Sequence, residues 1–256
     1  MSNVNTAKSQ PLLSVIVAVL NGAKTLQDCI DSVALQEAQS HELIIMDGGS
    51  TDDTIKILRE NNDKISYWES KPDFGISHAW NRALEHVKGK WIFFLGSDDR
   101  FASKDVLRSV TPYLLKNKDR FLIFGKVLLS GGPLDQLLIG ERWKWSKFQR
   151  RMSIPHQAAF HNKALFEKFG KFDENYRFAA DYEFLLRAGK ALDPVFIDKT
   201  IAVMDGNGAS IRNSSKSFRE FRDAQIKNKV DFRFKIELWH LFYQSRYLIN
   251  RLYGEQ

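Results

Sequence analysis

The first hundred residues alternate four short apolar segments with three segments of helical periodicity. The apolar segments are Leu12–Leu20, Glu42–Met46, Ile65–Glu69 and Trp91–Leu95. Apolar runs of this length are typical of strands that are buried on both faces in the middle of a parallel sheet. Parallel neighbours need crossover connections, and the helices in those crossovers cover the sheet. The pattern therefore predicts an α/β fold with a mostly parallel central sheet and helices on both faces.

The same patterns continue after residue 100. They predict strands at Phe121–Leu129, Pro155–Phe160 and Val195–Met204, and helices at Ser103–Leu115, Lys163–Phe169 and Tyr182–Ala188. We expect a flexible N-terminus at 1–11 and one domain at 12–215. A basic, aromatic and helical C-terminal segment follows at 216–256. An amphipathic segment of this kind fits an anionic membrane surface, and it fits equally well against the protein's own core.

Charge and cysteine content limit the possible partners. One cysteine in 256 residues excludes an internal disulfide and a multi-cysteine metal site. The polar start at 1–10 lacks the apolar core of a secretory signal, and no apolar run is long enough to span a membrane. These features predict a cytoplasmic protein, soluble or peripheral on the inner face of the cytoplasmic membrane. The net charge of +7 favours an anionic partner, such as nucleotide phosphate, nucleic acid or anionic lipid.

Carboxylates follow two of the predicted strands. Asp47 ends the second strand, and Asp98 and Asp99 end the fourth. Ligands of open α/β sheets bind at this carboxyl edge. Two adjacent carboxylates after a buried strand indicate either a divalent cation that carries a phosphorylated ligand or a solvated turn before the next helix. The sequence contains neither a P-loop nor a Gly-x-Gly-x-x-Gly fingerprint, which disfavours a P-loop NTPase and a dinucleotide-binding fold.

Two further segments have the composition of ligand-binding elements. Asp181 and Glu183 stand at the start of a predicted helix, where the helix dipole favours carboxylates on structural grounds alone. Residues 141–151 combine five Lys and Arg with three aromatic residues. That segment is either a mobile loop facing a ligand or a solvated basic turn.

Five segments, in this order, resemble the family 2 glycosyltransferases, in particular the bacterial polysaccharide branch. They are Ser14–Asn21, Glu42–Thr54, Pro72–Asn81, Phe93–Asp99 and Ala180–Arg187. The resemblance implies a GT-A fold with a Rossmann-like sheet, a nucleotide-binding half at 12–100 and an acceptor half at 101–215. It also implies inversion of the anomeric centre of a nucleotide-sugar donor.

The resemblance also suggests roles for single residues. Asp181 matches the catalytic base, with Glu183 as its rival. The metal, Mn²⁺ or Mg²⁺, would be held by Asp98 with Asp99 beside it, and Gly96 replaces the family's first acid. The expected donor-binding residues are Val19, Asn21, Asp47, Ser97 and Asp98. Lys71 and Arg82 are further candidates, for contacts with the pyrophosphate, and the alternative for both is a plain surface charge. His156, Glu183 and Arg212 are candidates for contacts with the acceptor or with phosphate.

The expected reaction is transfer of a sugar, with a UDP-hexose as the favoured donor, to a saccharide on a polyprenyl diphosphate at the inner membrane. Such a reaction serves the synthesis of a surface polysaccharide, either an O-antigen or a capsule. One alternative is a metal-dependent nucleotidyltransferase, which usually needs a glycine-rich basic loop after the first strand. Another is a non-catalytic nucleic-acid-binding protein. Acidic strand ends repel nucleic acid in the absence of a metal, so we expect no nucleic-acid partner.

Overall fold

The computed structural model describes residues 10–38, 40–132, 134–206 and 214–253, and it describes residues 214 and 248–253 by their backbone alone. Most of the predicted N-terminal segment 1–11 lies outside these residues. The strands are β1 (Leu13–Val19), β2 (His41–Asp47), β3 (Tyr67–Ser70), β4 (Trp91–Gly96), β5 (Arg100–Phe101), β6 (Leu122–Ser130), β7 (Leu138–Ile139), β8 (Ala159–Asn162) and β9 (Val195–Asp205).

Helices connect these strands and follow the last of them. They are α1 (Leu26–Ala34), α2 (Thr54–Glu60), α3 (Ile76–Ala83), α4 (Val106–Lys116), α5 (Trp145–Phe148), α6 (Lys163–Phe169), α7 (Ala180–Ala188), α8 (Ser214–Lys227) and α9 (Arg233–Tyr253). Short 3₁₀ helices occupy His156–Ala158 and Gly189–Leu192.

All described strands belong to one sheet with the order β3-β2-β1-β4-β8-β6-β9-β5, and β7 pairs with β6. The first four strands of this order are parallel, as are β6 and β9, while β8 runs antiparallel between β4 and β6. Val19 pairs with Asp47, and Asp47 pairs with Ser70. Ala18 pairs with Gly96 on the other side. The carboxyl ends of these four strands therefore lie level at one edge, as the sequence predicts.

Helices cover both faces of the sheet, which confirms the predicted fold class. Successive residues of a strand point to opposite faces. Val15 and Val17 accordingly pack with Cys29 of α1 in one core, while Ile16 packs with Trp80 of α3 in the other. All five side chains are buried. Both faces of the sheet are thereby removed from water, which is why its strands read as continuous apolar runs.

The predicted strand at Pro155–Phe160 is partly wrong. Its first half forms the 3₁₀ helix His156–Ala158, in which the Ala158 amide donates to the Pro155 carbonyl over 3.0 Å. Proline has no amide hydrogen for a strand ladder, so pairing begins only after the turn. Strand β8 then runs from Ala159 to Asn162 between β4 and β6.

The segment Ser50–Asp53 has the pattern of an N-cap at Ser50 with a carboxylate three residues later, but the structure differs from this expectation. Helix α2 begins at Thr54, and Asp53 precedes it without a side-chain capping bond. The Ser50 hydroxyl is instead bonded to Asp47. Asp52 accepts the Thr54 amide hydrogen over 3.0 Å and so satisfies the helix start. The local sequence pattern does not reveal this competition for the Ser50 hydroxyl.

The C-terminal segment is helical, as predicted, but its two helices differ in exposure. On α8, Ala224 and Gln225 are buried against the domain. On α9, apart from its buried Ile236, several large apolar side chains are exposed, among them Phe234 and Leu241. No helix within the described part of the chain has the length and apolarity required to cross a membrane.

Candidate active site

Asp47 ends β2 at the level edge and is completely buried. Its carboxylate accepts the backbone amides of Gly49 and Ser50, each over 3.0 Å. It also accepts the hydroxyl of Ser70 over 2.6 Å and that of Ser50. These four donors satisfy both oxygens of the buried carboxylate. Asp47 therefore fixes the loop after β2, and that loop forms the rim of the edge.

Hydrogen bonds hold the turn after β1 against the same loop. Asn21 has a left-handed backbone, with φ of 52°. Its amide donates to the Ser50 hydroxyl over 2.7 Å, and its side-chain oxygen accepts the Thr51 amide over 2.9 Å. The carbonyl of Val19, whose side chain is buried, accepts the Gly48 amide over 2.9 Å. The strand ends that were predicted to border the nucleoside thus form one rigid rim.

The acidic turn after β4 places its two carboxylates differently. Asp98 is exposed, whereas only 3% of Asp99 is exposed. Asp99 accepts the amide of Gly96 over 3.1 Å and that of Asp205, at the end of β9, over 3.0 Å. A Cβ at position 96 would lie 2.5 Å from an Asp99 oxygen, so Asp99 fills the space that the family's first acid would occupy. Beneath the turn, the buried Cys29 thiol donates to the Gly96 carbonyl over 3.4 Å.

Negative charge is poorly accommodated in this turn. Burial, together with the neighbouring Asp98, raises the pKa of Asp99 to about 7. A divalent cation near the two carboxylates would offset both effects. Among the described residues, no three His, Cys, Asp or Glu side chains are grouped to hold a metal ion. The residues fit Mn²⁺ or Mg²⁺ bound through one or two carboxylates, with phosphate and water oxygens completing the shell.

Asp181 lies at the start of α7, and the segment before this helix is hydrogen-bonded to α3. Helix α3 follows the carboxyl end of β3, and its buried Ser77 donates to the Tyr176 carbonyl over 3.0 Å. One turn later, Asn81 donates to the Phe172 carbonyl over 3.0 Å. These two bonds hold the strand-like approach to α7 along α3. The chain from Phe172 to Tyr176 thus runs toward the N-terminal end of α3, and α7 with Asp181 begins four residues after Tyr176.

The environment of Asp181 suits a base. Its carboxylate is partly buried and accepts the Tyr182 amide over 2.8 Å. Burial, with a smaller contribution from the charge of Glu220, raises its pKa to about 6. Glu220 comes from α8 and accepts the amides of Phe178 and Ala179 over 2.6 and 2.9 Å. Asp181 is thus deprotonated at neutral pH, but its charged form is less favoured than that of an ordinary carboxylate. It can therefore accept a proton more readily, as a general base must.

Glu183, the rival base, has a structural environment. It is completely buried, and it binds the Arg187 guanidinium at 2.5 Å and the Lys227 ammonium at 3.0 Å. Burial by itself would raise the pKa of Glu183, but these bonds outweigh burial and lower the pKa. Two residues along a helix correspond to about 200° of rotation, so Glu183 points away from Asp181.

Lys71 and Arg82 gather around one carboxylate near the end of β3. Glu69 binds the Lys71 ammonium at 2.6 Å and the Arg82 guanidinium at 2.7 Å. Lys71 is exposed at the edge, and Arg82 is mostly buried in its ion pair. Ser97 is half-buried in the acidic turn beside Asp98. Among these three residues predicted to bind the sugar donor, Lys71 and Ser97 lie at the rim, while Arg82 is bound to Glu69.

His156 lies inside the aromatic core. Its ring stacks on Phe94 at 5.1 Å and lies 4.9 Å from Trp80 and 5.1 Å from His161. Burial, and then the neighbouring His161, lowers the pKa of His156 well below its ordinary value. This neutral, enclosed ring offers no surface to an acceptor or a phosphate. Arg212 lies outside the described residues.

Sequence reasoning did not select three acidic residues that lie in the acidic turn's surroundings, in the turn after β3 or at the entry to α7. Asp205 donates its backbone amide to Asp99, and Glu220 caps the entry to α7. Asp73 is half-buried in the turn after β3 and accepts the Gly75 amide over 2.9 Å. Asp205 follows a predicted strand, and this position was a usable signal. The role of Glu220 depends on the packing of α8, for which the local sequence gives no sign.

Comparisons with known proteins agree with this geometry. A family model described as glycosyl transferase family 2 matches residues 14–165. A PGL/p-HBAD biosynthesis glycosyltransferase of Mycobacterium bovis is 34% identical over 188 residues, which cover 69% of each chain.

Solved structures share the fold at low sequence identity. TarS 1–349 of S. aureus in complex with UDP-GlcNAc gives a TM-score of 0.70 at 18% identity, covering 91% of this chain and 72% of that one. A mannosyltransferase from Pyrobaculum calidifontis in complex with GDP-Man and Mn²⁺ gives 0.66 at 16% identity, covering 91% and 70%. The chain spans 39% of a longer TarS crystal structure.

The family match takes in β1 to β4 with their level carboxyl ends and continues through β8 into α6. It includes the rim around Asp47 and the acidic turn at Asp98 and Asp99. The identity to the mycobacterial relative extends the likeness to more than two thirds of both proteins. This chain therefore belongs to glycosyl transferase family 2 and is a glycosyltransferase with a GT-A fold.

Proposed function

We propose that the protein transfers a sugar from a nucleotide-sugar donor to a lipid-linked saccharide, with inversion at the anomeric carbon. The observation that carries this proposal is the position of Asp181. Asp181 is a desolvated carboxylate at the start of α7, and Asp98 and Asp99 form the acidic turn at the carboxyl end of β4. The fold thus offers both a candidate base and a candidate cation-binding turn, on different elements. A single inverting displacement needs these two groups on opposite sides of the reacting carbon.

In this proposal the donor lies along the rim formed by the ends of β1, β2 and β4. Asp47 holds the loop that faces the nucleoside, and Asn21 fixes the adjoining turn. Asp98, exposed in the acidic turn, would hold Mn²⁺ or Mg²⁺ together with the donor diphosphate, with Asp99 beneath it. The cation supplies charge stabilisation to the leaving diphosphate when it is bound.

Asp181 removes the proton from the attacking acceptor hydroxyl. Its raised pKa is near the operating range, so the carboxylate is deprotonated at neutral pH and remains basic enough to accept the proton. Glu183, by contrast, is held in place by its ion pairs with Arg187 and Lys227, which favour a structural role for its carboxylate. Asp181 is therefore the proposed base, and Glu183 is the residue that positions its helix.

The relatives support the choice of substrates. TarS is solved with UDP-GlcNAc, which supports a uridine nucleotide, whereas the Pyrobaculum enzyme is solved with GDP-Man and Mn²⁺. We propose a UDP-hexose donor. The M. bovis relative is named for PGL/p-HBAD biosynthesis. Together with the exposed apolar side chains of α9, this supports a lipid-linked acceptor, a place on the inner membrane surface and a role in surface polysaccharide synthesis.

The test begins with a thermal-shift screen of UDP-, GDP- and dTDP-sugars, with and without Mn²⁺. A bound donor raises the melting temperature of the native state by mass action. Asp98→Ala should reduce the Mn²⁺-dependent part of the shift. Asp181→Asn should keep the donor-induced shift but lower transfer by roughly 10²- to 10⁴-fold, the usual contribution of a general base.

The exposed Asp63 provides the matched control for that screen. Asp63→Asn, after α2, should leave both donor binding and transfer unchanged. Wild-type turnover in both the Asp181 and the Asp98 variants would contradict the assignment. Release of pyrophosphate instead of nucleoside diphosphate would point to a nucleotidyltransferase.

A further inference from the structure

A cleft of about 430 Å³ lies between the 145–151 segment and α9, away from the sheet edge. We call it the basic cleft. Its charged and aromatic lining consists of Lys147, Arg150, Arg151, Phe242, Tyr243 and Arg246. Four cationic side chains around one concave surface form an anion-binding arrangement when their charges are not neutralised by the protein itself.

The protein neutralises only part of this charge. Lys147 pairs with Glu141, which also lies 4.0 Å from Arg151. Neither Arg150 nor Arg246 forms an ion pair with a described carboxylate; Arg150 lies 5.2 Å from the Trp239 ring centroid, and Arg246 lies 6.0 Å from that of Phe242. Both guanidinium groups thus keep donors for an anion. A planar guanidinium binds phosphate oxygens in pairs, so two of them suit a diphosphate better than an isolated carboxylate.

An exposed apolar stripe adjoins the basic cleft on α9. It consists of Phe234, Leu238, Leu241 and Phe242, which are 54–63% exposed. Their spacing of three and four residues places them on one side of the helix. Phe242 belongs to both the stripe and the cleft. The ligand that fits this combination carries a strongly anionic group directly beside apolar chains, as a lipid at a membrane surface does.

Hydrogen bonds connect the basic cleft to the helix of the proposed base. The buried hydroxyl of Tyr182, the residue after Asp181, donates to the Phe148 carbonyl over 2.8 Å. Gln225 on α8 donates to the Arg150 carbonyl over 2.9 Å and to the Tyr182 hydroxyl over 3.1 Å. The segment that carries three of the four cations is therefore fixed to the first turn of α7.

We propose that the basic cleft binds the diphosphate of the lipid-linked acceptor while the apolar stripe of α9 lies in the membrane surface. This inference rests on the proposed function, because it takes the acceptor to be lipid-linked. It adds a binding site for the acceptor's anionic group, separate from the cation-binding turn that would hold the donor diphosphate. The bonds through Tyr182 hold that site in a constant relation to Asp181.

Vesicle co-sedimentation tests this assignment with the full chain. One set of phosphatidylcholine vesicles contains a polyprenyl diphosphate, and a second contains phosphatidylglycerol adjusted to the same surface charge. The wild type should bind the diphosphate vesicles more tightly. Arg150→Ala combined with Arg246→Ala should weaken that binding roughly tenfold or more, since the diphosphate loses two charge-assisted hydrogen-bond donors. Arg150→Lys with Arg246→Lys should retain more of the binding.

The control pair is Lys56→Ala with Arg59→Ala, which removes two exposed charges from α2. Its binding should match the wild type. Equal binding of the wild type to the two charge-matched vesicles would overturn the proposal, and so would an equal loss in the control pair. The preference of the wild type for diphosphate vesicles is measured without any variant. It therefore tests the proposal even if the double alanine variant unfolds.

A donor thermal shift, measured on the same preparations, separates this inference from the proposed function. A normal donor response with no preference for diphosphate vesicles would refute the basic cleft alone. Loss of the donor response in the wild type would refute the proposed function.

Discussion

Asp181→Asn should stabilise the protein while removing its activity. The ordinary pKa of this carboxyl is 3.8, and burial raises it to about 6 in the folded protein. The charged form is therefore disfavoured by folding, and the wild type loses stability as the pH rises from 3.8 through 6. The full effect is about 3 kcal/mol above pH 6, as an upper limit for a partly buried group. Asparagine keeps the acceptor for the Tyr182 amide and carries no charge.

The stability difference between Asp181→Asn and wild type should thus depend on pH. Linkage gives about 1.6 kcal/mol at pH 5 and about 3 kcal/mol at pH 8, in favour of the variant. The assay is urea unfolding of both proteins at the two pH values, without nucleotide or divalent cation. Thermal melts should show a gain of about 6–12 °C at pH 8, as an upper limit for a chain of this size.

A difference that stays constant between pH 5 and pH 8 would refute the argument that Asp181 is desolvated. A loss of stability in the variant at pH 8 would do the same. Asp63→Asn makes the same chemical change at an exposed position, and its effect should stay within about 0.5 kcal/mol at both pH values. Residues at functional sites often reduce stability in this way, because the property needed for chemistry opposes folding.

Three further variants test separate parts of the site. Glu183→Gln should lower the unfolding free energy by about 1.5–3 kcal/mol in urea titrations, because the buried side chain loses its charge-assisted bonds to the half-buried Arg187 and the exposed Lys227, and the variant molecules that remain folded should keep their turnover. Glu220→Gln removes a negative charge near Asp181, so the acidic limb of kcat/KM against pH should move to lower pH than in wild type, where it lies near pH 6. Gly206→Ala places a Cβ 1.9 Å from a backbone carbonyl oxygen at the end of β6, and it should weaken donor binding in thermal-shift titrations because the chain beside the acidic turn has to move.

Alternation of strands and helices could be predicted because it depends on local pattern and on the handedness of crossovers. The level ends of β1 to β4 follow from the same rule, and they bring Asp47 and Asp98 to one edge. The turn at Pro155 and the start of α2 at Thr54 were missed. Both depend on which partner a polar backbone or hydroxyl group finds, and that partner is set by the tertiary structure.

Within the site, residue type was easier to predict than environment. The resemblance selected Asp181 and Glu183 together, two residues apart on one helix. Contacts distant in sequence distinguish them: Lys227, from α8, neutralises Glu183, while Glu220, from the same helix, adds negative charge near Asp181. Sequence spacing cannot show these contacts, because α8 approaches α7 only in the folded chain. The burial of His156 among aromatic rings was hidden for the same reason.

The position of Cys29 allows local opening of the protein to be measured without an added label. It is the only cysteine in the 256-residue sequence, and its thiol is buried beneath the acidic turn. Burial, reinforced by the charge of Asp99, raises the thiol's pKa, so the reactive thiolate is scarce while the domain is closed. Modification by a thiol reagent under native conditions then measures how often β4 and α1 separate. Occupation of the rim by a ligand should slow that modification, which provides a reporter for donors and cations that requires no turnover.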